Sequence, residues 1–139
     1  MKYAEFLGQV QARARLGNEE AAVRATRATL QTLAERIFGK EAEHLAAQLP
    51  SEIGRFLTEN PHKEKLSLDD FFHKVHEREG QGVDFPEAIY HARVVLEVLR
   101  EAVSPGEIDH VLDQLPEEFD QLVEAGSQGD LDLPRRSKR

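Results

Sequence analysis

The chain has no cysteine and no tryptophan, a single methionine, and only 6% aromatic residues. Without cysteine there is no disulfide framework, no thiolate metal site and no cysteine nucleophile. The scarcity of aromatics leaves aliphatic side chains to fill a core, which suits helix packing. No stretch approaches the roughly 18–20 apolar residues of a membrane span. Met1 to Val10 carries a charge or a polar group every few residues, where a signal peptide would have an apolar segment. Strand patterning is nearly absent, as are a glycine-rich phosphate loop, a His-Glu-x-x-His motif and a Gly-x-Ser-x-Gly elbow. These absences predict a cytoplasmic protein with no membrane insertion, no enzymatic signature and no cofactor.

What is present is charge. Charged residues make up 32% of the chain, and hydrophobic residues 40%, the balance of a globular protein. The net charge of -8 includes four positive charges in the last six residues (Arg135, Arg136, Lys138 and Arg139), leaving -12 on the preceding 133. Such a body repels phosphate backbones, so nucleic-acid binding by the folded part is not expected. The basic end would make at most weak contacts with anionic surfaces or with the acidic body itself.

The chain is also written twice. Gln48-Leu49-Pro50 recurs as Gln114-Leu115-Pro116, and the same shift of 66 carries Arg27 to Arg93, Leu30 to Leu96, Leu33 to Leu99, Glu35 to Glu101, Glu41 to Glu107 and His44 to His110. Upstream the shift is 65, carrying Phe6 to Phe71, Val10 to Val75, Arg13 to Arg78 and Gly17 to Gly82. A half of about 65 residues would bury only about 60% of its unfolded surface, so the halves are expected to share a core.

Each half reads as four helices. The first runs from Tyr3 to Ala14 and from Leu68 to Glu79, and the second, the longest, from Glu19 to Phe38 and from Pro86 to Val103. Apolar residues recur at helical spacing in both, and Leu30, Leu33, Leu96 and Leu99 form the expected spine. The third runs from Lys40 to Leu49 and from Pro105 to Leu115. The fourth opens at Pro50 or Pro116, since proline suits a first turn and ends the helix before it. Ser67 with Asp70, Asp84 with Glu87, and Ser104 with Glu107 have the spacing of capping boxes. The resulting expectation is an all-α bundle of about eight helices in one domain, residues 1–125. Its two tandem four-helix repeats (3–59 and 68–125) would be related by an approximate internal two-fold axis and joined by a polar linker, 60–67. Residues 126–139 are too poor in apolar side chains to repay ordering and are expected to be flexible.

Three segments carry a family resemblance: Ala25-Thr26-Arg27-Ala28-Thr29-Leu30, Leu45-Ala46-Ala47-Gln48-Leu49-Pro50, and the run from Leu96 to Ile108. With them the chain resembles the bacterial family named as domain of unknown function 2267, over about Tyr3 to Glu124. The resemblance implies a soluble, duplicated, all-helical fold and brings no established activity, ligand or catalytic residue.

The sharpest chemical candidates are Glu41-x-x-His44 and Glu107-x-x-His110, at equivalent places on the third helices. Two such motifs, each with one further acid, are how ferritin-like bundles hold two metal ions, and Glu35 and Glu101 could supply the acids. Against this, Glu35 lies six residues before Glu41 across a helix turn, and Glu107 has a capping role available with Ser104. The two sets are therefore expected not to converge, leaving His44 and His110 at separate, partly exposed places. His73, His76 and His91 occur only in the second half and read as exposed histidines. Arg27 and Arg93 are candidate anion ligands or ion-pair partners of Glu35 and Glu101. The functional expectation is a non-catalytic interaction or regulatory module that presents an apolar groove to a partner helix or to a second copy. The alternative is a metal- or small-ligand-binding protein that uses the duplicated Glu and His positions.

Overall fold

The computed structural model describes residues 1–59 and 62–131, and among these the protein is an all-helical bundle without strands. Helices α1 (Tyr3–Arg13), α2 (Glu19–Arg36), α3 (Glu41–Ala47) and α4 (Ser51–Thr58) are followed by α5 (Leu68–Glu79), α6 (Phe85–Ala102) and α7 (Pro105–Asp113). A 3-10 turn, Glu117–Asp120, then leads into a single α-helical turn, α8 (Gln121–Glu124).

The two long helices start and stop for legible reasons. The Asn18 side chain accepts from Ala21 N at 2.8 Å to open α2. Asp84 and Glu87 close a reciprocal capping box on α6, with Pro86 in its first turn. At the other end, β-branched Ile37 and Val103, 66 residues apart, both turn extended. The break after α6 is reinforced by Pro105, which holds Ser104 in extended backbone. Once formed, α2 and α6 pack on each other, α1 lies across both, and α5 does the same from the other half. Phe6, Leu30, Leu33, Phe71, Phe72 and Leu99 are buried in this shared core. Leu96, the fourth residue of the expected spine, is partly buried against it.

Charged contacts across the junction come in reciprocal pairs. Arg13 of α1 donates to Glu97 at 3.1 Å and to Glu101 at 2.7 and 2.9 Å on α6. Arg78 of α5 donates to Glu35 and, at 3.1 Å, to Thr32 on α2. Glu35 and Glu101 are thus paired, but with the first helix of the opposite half and not with Arg27 or Arg93. Those two arginines hold the last segment of their own halves: Arg27 Nε lies 3.3 Å from Glu59, and Arg93 donates to the carbonyls of Gly126 (2.9 Å) and Gly129.

Several expectations need correction. The fourth helix of the second half is a 3-10 turn with one α turn. In the first half Gly54 brings α4 so close to α3 that an added Cβ would lie 2.9 Å from Ala46 O. The matching positions hold Asp120 and Leu112, too large for that approach, so the segment cannot repeat α4. Pro50 and Pro116 each sit one residue before their helix, in extended backbone. Ser104 makes no side-chain cap bond. The linker's described part is docked: Glu64 N and Lys63 Nζ donate to the C-terminal carbonyls Glu35 O (2.8 Å) and Ala34 O (2.7 Å) of α2, groups that a helix end leaves unsatisfied. Leu66 is buried, and its carbonyl accepts from Arg36. Residues 126–131, expected to be flexible, are also fixed, with Ser127 buried and bonded to Glu97 and Leu131 packed on the core. The rest of the expected tail, with Arg135, Arg136, Lys138 and Arg139, lies outside the described residues.

The matched acids Glu35 and Glu101 should differ sharply on truncation. The Glu35 side chain is 1% exposed and faces Arg78, whereas that of Glu101 is 47% exposed. Glu35→Ala removes the buried partner of Arg78, whose own side chain is 23% exposed and keeps its bond to Thr32, and should cost about 1–3 kcal/mol. Glu101→Ala should cost less than about 1 kcal/mol. Urea denaturation of the two variants measures the difference; equal losses would contradict the burial described here.

Candidate metal centre

The loops that lead into α3 and α7 are tied to each other's half. Gln48 Oε1 accepts from Ser104 N at 2.7 Å, and Gln114 Oε1 accepts from Phe38 N at 2.8 Å. These are the glutamines of the two Gln-Leu-Pro corners, and their donors are also 66 residues apart. The exchange sets the end of each short helix beside the start of the other, so that α3 and α7 run antiparallel in contact. Within each helix, i and i+3 share a face, so each Glu carries its His beside it.

Three of the four candidate residues come together where no convergence was expected. Donor atoms of Glu41, Glu107 and His110 all lie within 4.8 Å of one another. Glu107 is 7% exposed, the Glu41 side chain 14%, and His110 is exposed. Among the described residues, the buried Oε2 atoms of Glu41 and Glu107 meet no donor, and the two carboxyls hydrogen-bond to each other only by sharing a proton. His44, its side chain 59% exposed, stands outside this set, with Nδ1 3.8 Å from Glu41 Oε1. The capping role that argued against convergence is not taken up, because the Ser104 side chain makes no cap bond and its backbone N–H goes to Gln48. Glu35 and Glu101 are bound to Arg78 and Arg13, so the further acids of a ferritin-like two-metal site are elsewhere.

Electrostatics mark the same spot. Burial first, and then the facing Glu41 carboxyl, hold the Glu107 carboxyl above the usual glutamate range; the His44 and His110 imidazoles pull it the other way. Two carboxyls in contact cannot both ionise freely, so without a cation one of them tends to keep its proton.

The remaining histidines have structural partners and do not form the exposed set expected of them. His91 is buried, with Nδ1 2.6 Å from Oε2 of buried Glu79. Sequence reading missed this pair, although the first half has alanines, Ala25 and Ala14, at both matching positions. A coordinated change from two alanines to an acid and an imidazole was the available signal. His73 stacks on Phe85 at 4.1 Å, and His76 Nε2 meets Val83 O at 2.9 Å.

Fold and site together define an all-helical bundle with an acid and imidazole cluster where two short helices meet. The chain belongs to the DUF2267 family of uncharacterised conserved proteins, whose model matches residues 3–122, a span that includes the whole cluster. No curated protein matches it.

The raised Glu107 carboxyl fixes the sign of a pH effect. Between the ordinary glutamate pKa and the raised folded value, the native state binds more protons than the unfolded chain, so stability falls as pH rises through that window. Glu107→Gln removes this slope. With chelator present, the variant should be more stable than the parent near neutral pH, and the advantage should shrink as pH falls from the raised value to the ordinary glutamate pKa. Urea denaturation from pH 4 to pH 8 checks this; a variant less stable at neutral pH would show that the facing carboxyls do not oppose each other.

Proposed function

We propose that the chain is a cytoplasmic regulatory module whose ligand is a divalent cation, seated where the third helices of two four-helix repeats meet. The repeats are related by an approximate internal two-fold axis. The reciprocal pairs support that relation: Arg13 with Glu101 against Arg78 with Glu35, and Gln48 with Ser104 N against Gln114 with Phe38 N.

One observation carries the cation reading. Carboxylates from two different helices, Glu41 and Glu107, face each other half to fully buried, each with an unpartnered oxygen, and an imidazole stands within reach of both. Buried acids are tolerated when paired or bound to a cation, and two carboxylates neutralise a dication. An apolar groove for a partner helix has less support. The apolar cavity bordered by Leu33, Leu96, Leu99 and Phe119 measures about 40 Å³, far below the roughly 300–1,000 Å³ of pockets that hold organic ligands.

The direct test is a titration of chelator-stripped protein with Mg²⁺, Ca²⁺, Mn²⁺ and Zn²⁺, followed by calorimetry and by thermal unfolding. At least one ion should bind at one per chain and raise the melting temperature with the logarithm of its concentration once that exceeds Kd. Glu41→Gln with Glu107→Gln should abolish the response while leaving the helical circular dichroism unchanged. No response to any of the four ions would sink the proposal.

A further inference from the structure

The cation reading leaves the kind of ion open, because carboxylates alone serve hard and borderline dications alike. Imidazole does not. Mg²⁺ and Ca²⁺ take oxygen donors, whereas imidazole nitrogen suits zinc and its transition-metal neighbours. The third member of this cluster is a histidine, and its placement makes it more than a bystander. His110 lies one turn beyond Glu107 on the same face of α7, and its donor atom is within 4.8 Å of both carboxylates.

Resting on the cation reading above, we propose that the site takes a single borderline transition-metal ion of the zinc class, held by Glu41 from α3 and by Glu107 and His110 from α7. With His44 outside the set, three protein donors leave a fourth position open to water or to an incoming ligand. Three protein donors is the number found in zinc sites that keep an open position, as against the closed four-donor sets of structural zinc.

The geometry needs only a small adjustment. Donors bonded to one tetrahedral zinc at about 2.0–2.2 Å lie roughly 3.4 Å apart, so a spread of up to 4.8 Å must close by about 1.4 Å. Glu107 is buried and stays where α7 holds it. His110 is exposed and can turn about its side-chain torsions, so it is the member that moves. Charge closes as well: two carboxylates and a neutral imidazole around a dication leave no net charge in a half-buried place. The ion would join α3 to α7 across the junction, beside the reciprocal glutamine bonds that already align them.

The test uses the full chain, stripped with chelator, and two probe ions, Zn²⁺ and Co²⁺. Zn²⁺ competed against a chromophoric chelator should bind at one per chain, and Co²⁺ should give the visible absorption of a low-symmetry four-coordinate ion. Millimolar Mg²⁺ or Ca²⁺ should not displace either. His110→Ala, at an exposed position, should keep the helical circular dichroism. It should weaken Zn²⁺ by at least the roughly 10–100-fold that loss of a mere hydrogen-bond partner of a ligand costs. His44→Ala should leave Zn²⁺ affinity nearly unchanged. Preferential binding of Mg²⁺ or Ca²⁺, indifferent to His110→Ala, would overturn the zinc-class assignment while the dication reading stands. A loss in His44→Ala equal to that in His110→Ala would overturn the three-donor set. Failure of every ion to bind would remove both this inference and the reading beneath it.

Discussion

Neither half of this chain can hide its own long helix, and the architecture follows from that constraint. The small buried residues Ala22, Ala25, Ala28 and Ala34 on α2, and Ala88 and Ala92 on α6, let neighbouring helices come close, while Phe71 and Phe72 fill the space from α5. The first helix of each half packs on its own long helix and on that of the other half. Burial is therefore joint: removing one half would expose the inner faces of both long helices. At roughly 25 cal/mol per Å² of apolar surface, such exposure would exceed the few kcal/mol by which small domains are stable.

Polar groups decide how the shared core is aligned. The apolar contacts between α2 and α6 are non-directional and would tolerate a slide, but Arg78 on Glu35 and Arg13 on Glu97 and Glu101 are satisfied at one alignment only. The Glu79 and His91 pair adds a further requirement in the second half, where the first half has alanines. Buried ion pairs are weak sources of net stability, because desolvation offsets most of their attraction. Their effect here is to penalise misalignment, since a slide would leave Glu35, Glu79 or His91 buried without a partner.

Much of this was legible from residues alone. Helical spacing placed α1 through α7 within a few residues, the Ser67 and Asp84 caps formed as their spacing indicates, and the shift of 66 picked out Gln48 and Gln114, which make matching contacts. The errors have physical causes. Pattern reading sees which residues face inward but not how closely two helices approach, so the difference between Gly54 with Ala46 and Asp120 with Leu112 was invisible until α4 and its counterpart diverged. The spacing of Ser104 and Glu107 describes a local bond, and a tertiary one, from Ser104 N to Gln48, displaced it. Residues 126–131 looked too polar to order because their partners, Arg93 and Glu97, lie about thirty residues upstream on α6.

The convergence of Glu41 and Glu107 was hidden for a more general reason. Residues at matching places of two similar segments meet only if the fold brings them together, and no periodicity reveals that distance. Where they do meet, the pair has a chemical consequence that neither residue has alone. A glutamate in the first turn of a single short helix merely favours the positive end of the dipole. Two such helices packed antiparallel confront one carboxylate with another, and a harmless helix-start acid becomes half of a repulsive pair. A third group must then settle the charge, either a proton on one carboxyl or a cation between them. His44 and His110 stand one turn further along the same helices, so a cluster with the chemistry of a metal site is assembled here around acids that, within a single helix, would only favour its first turn.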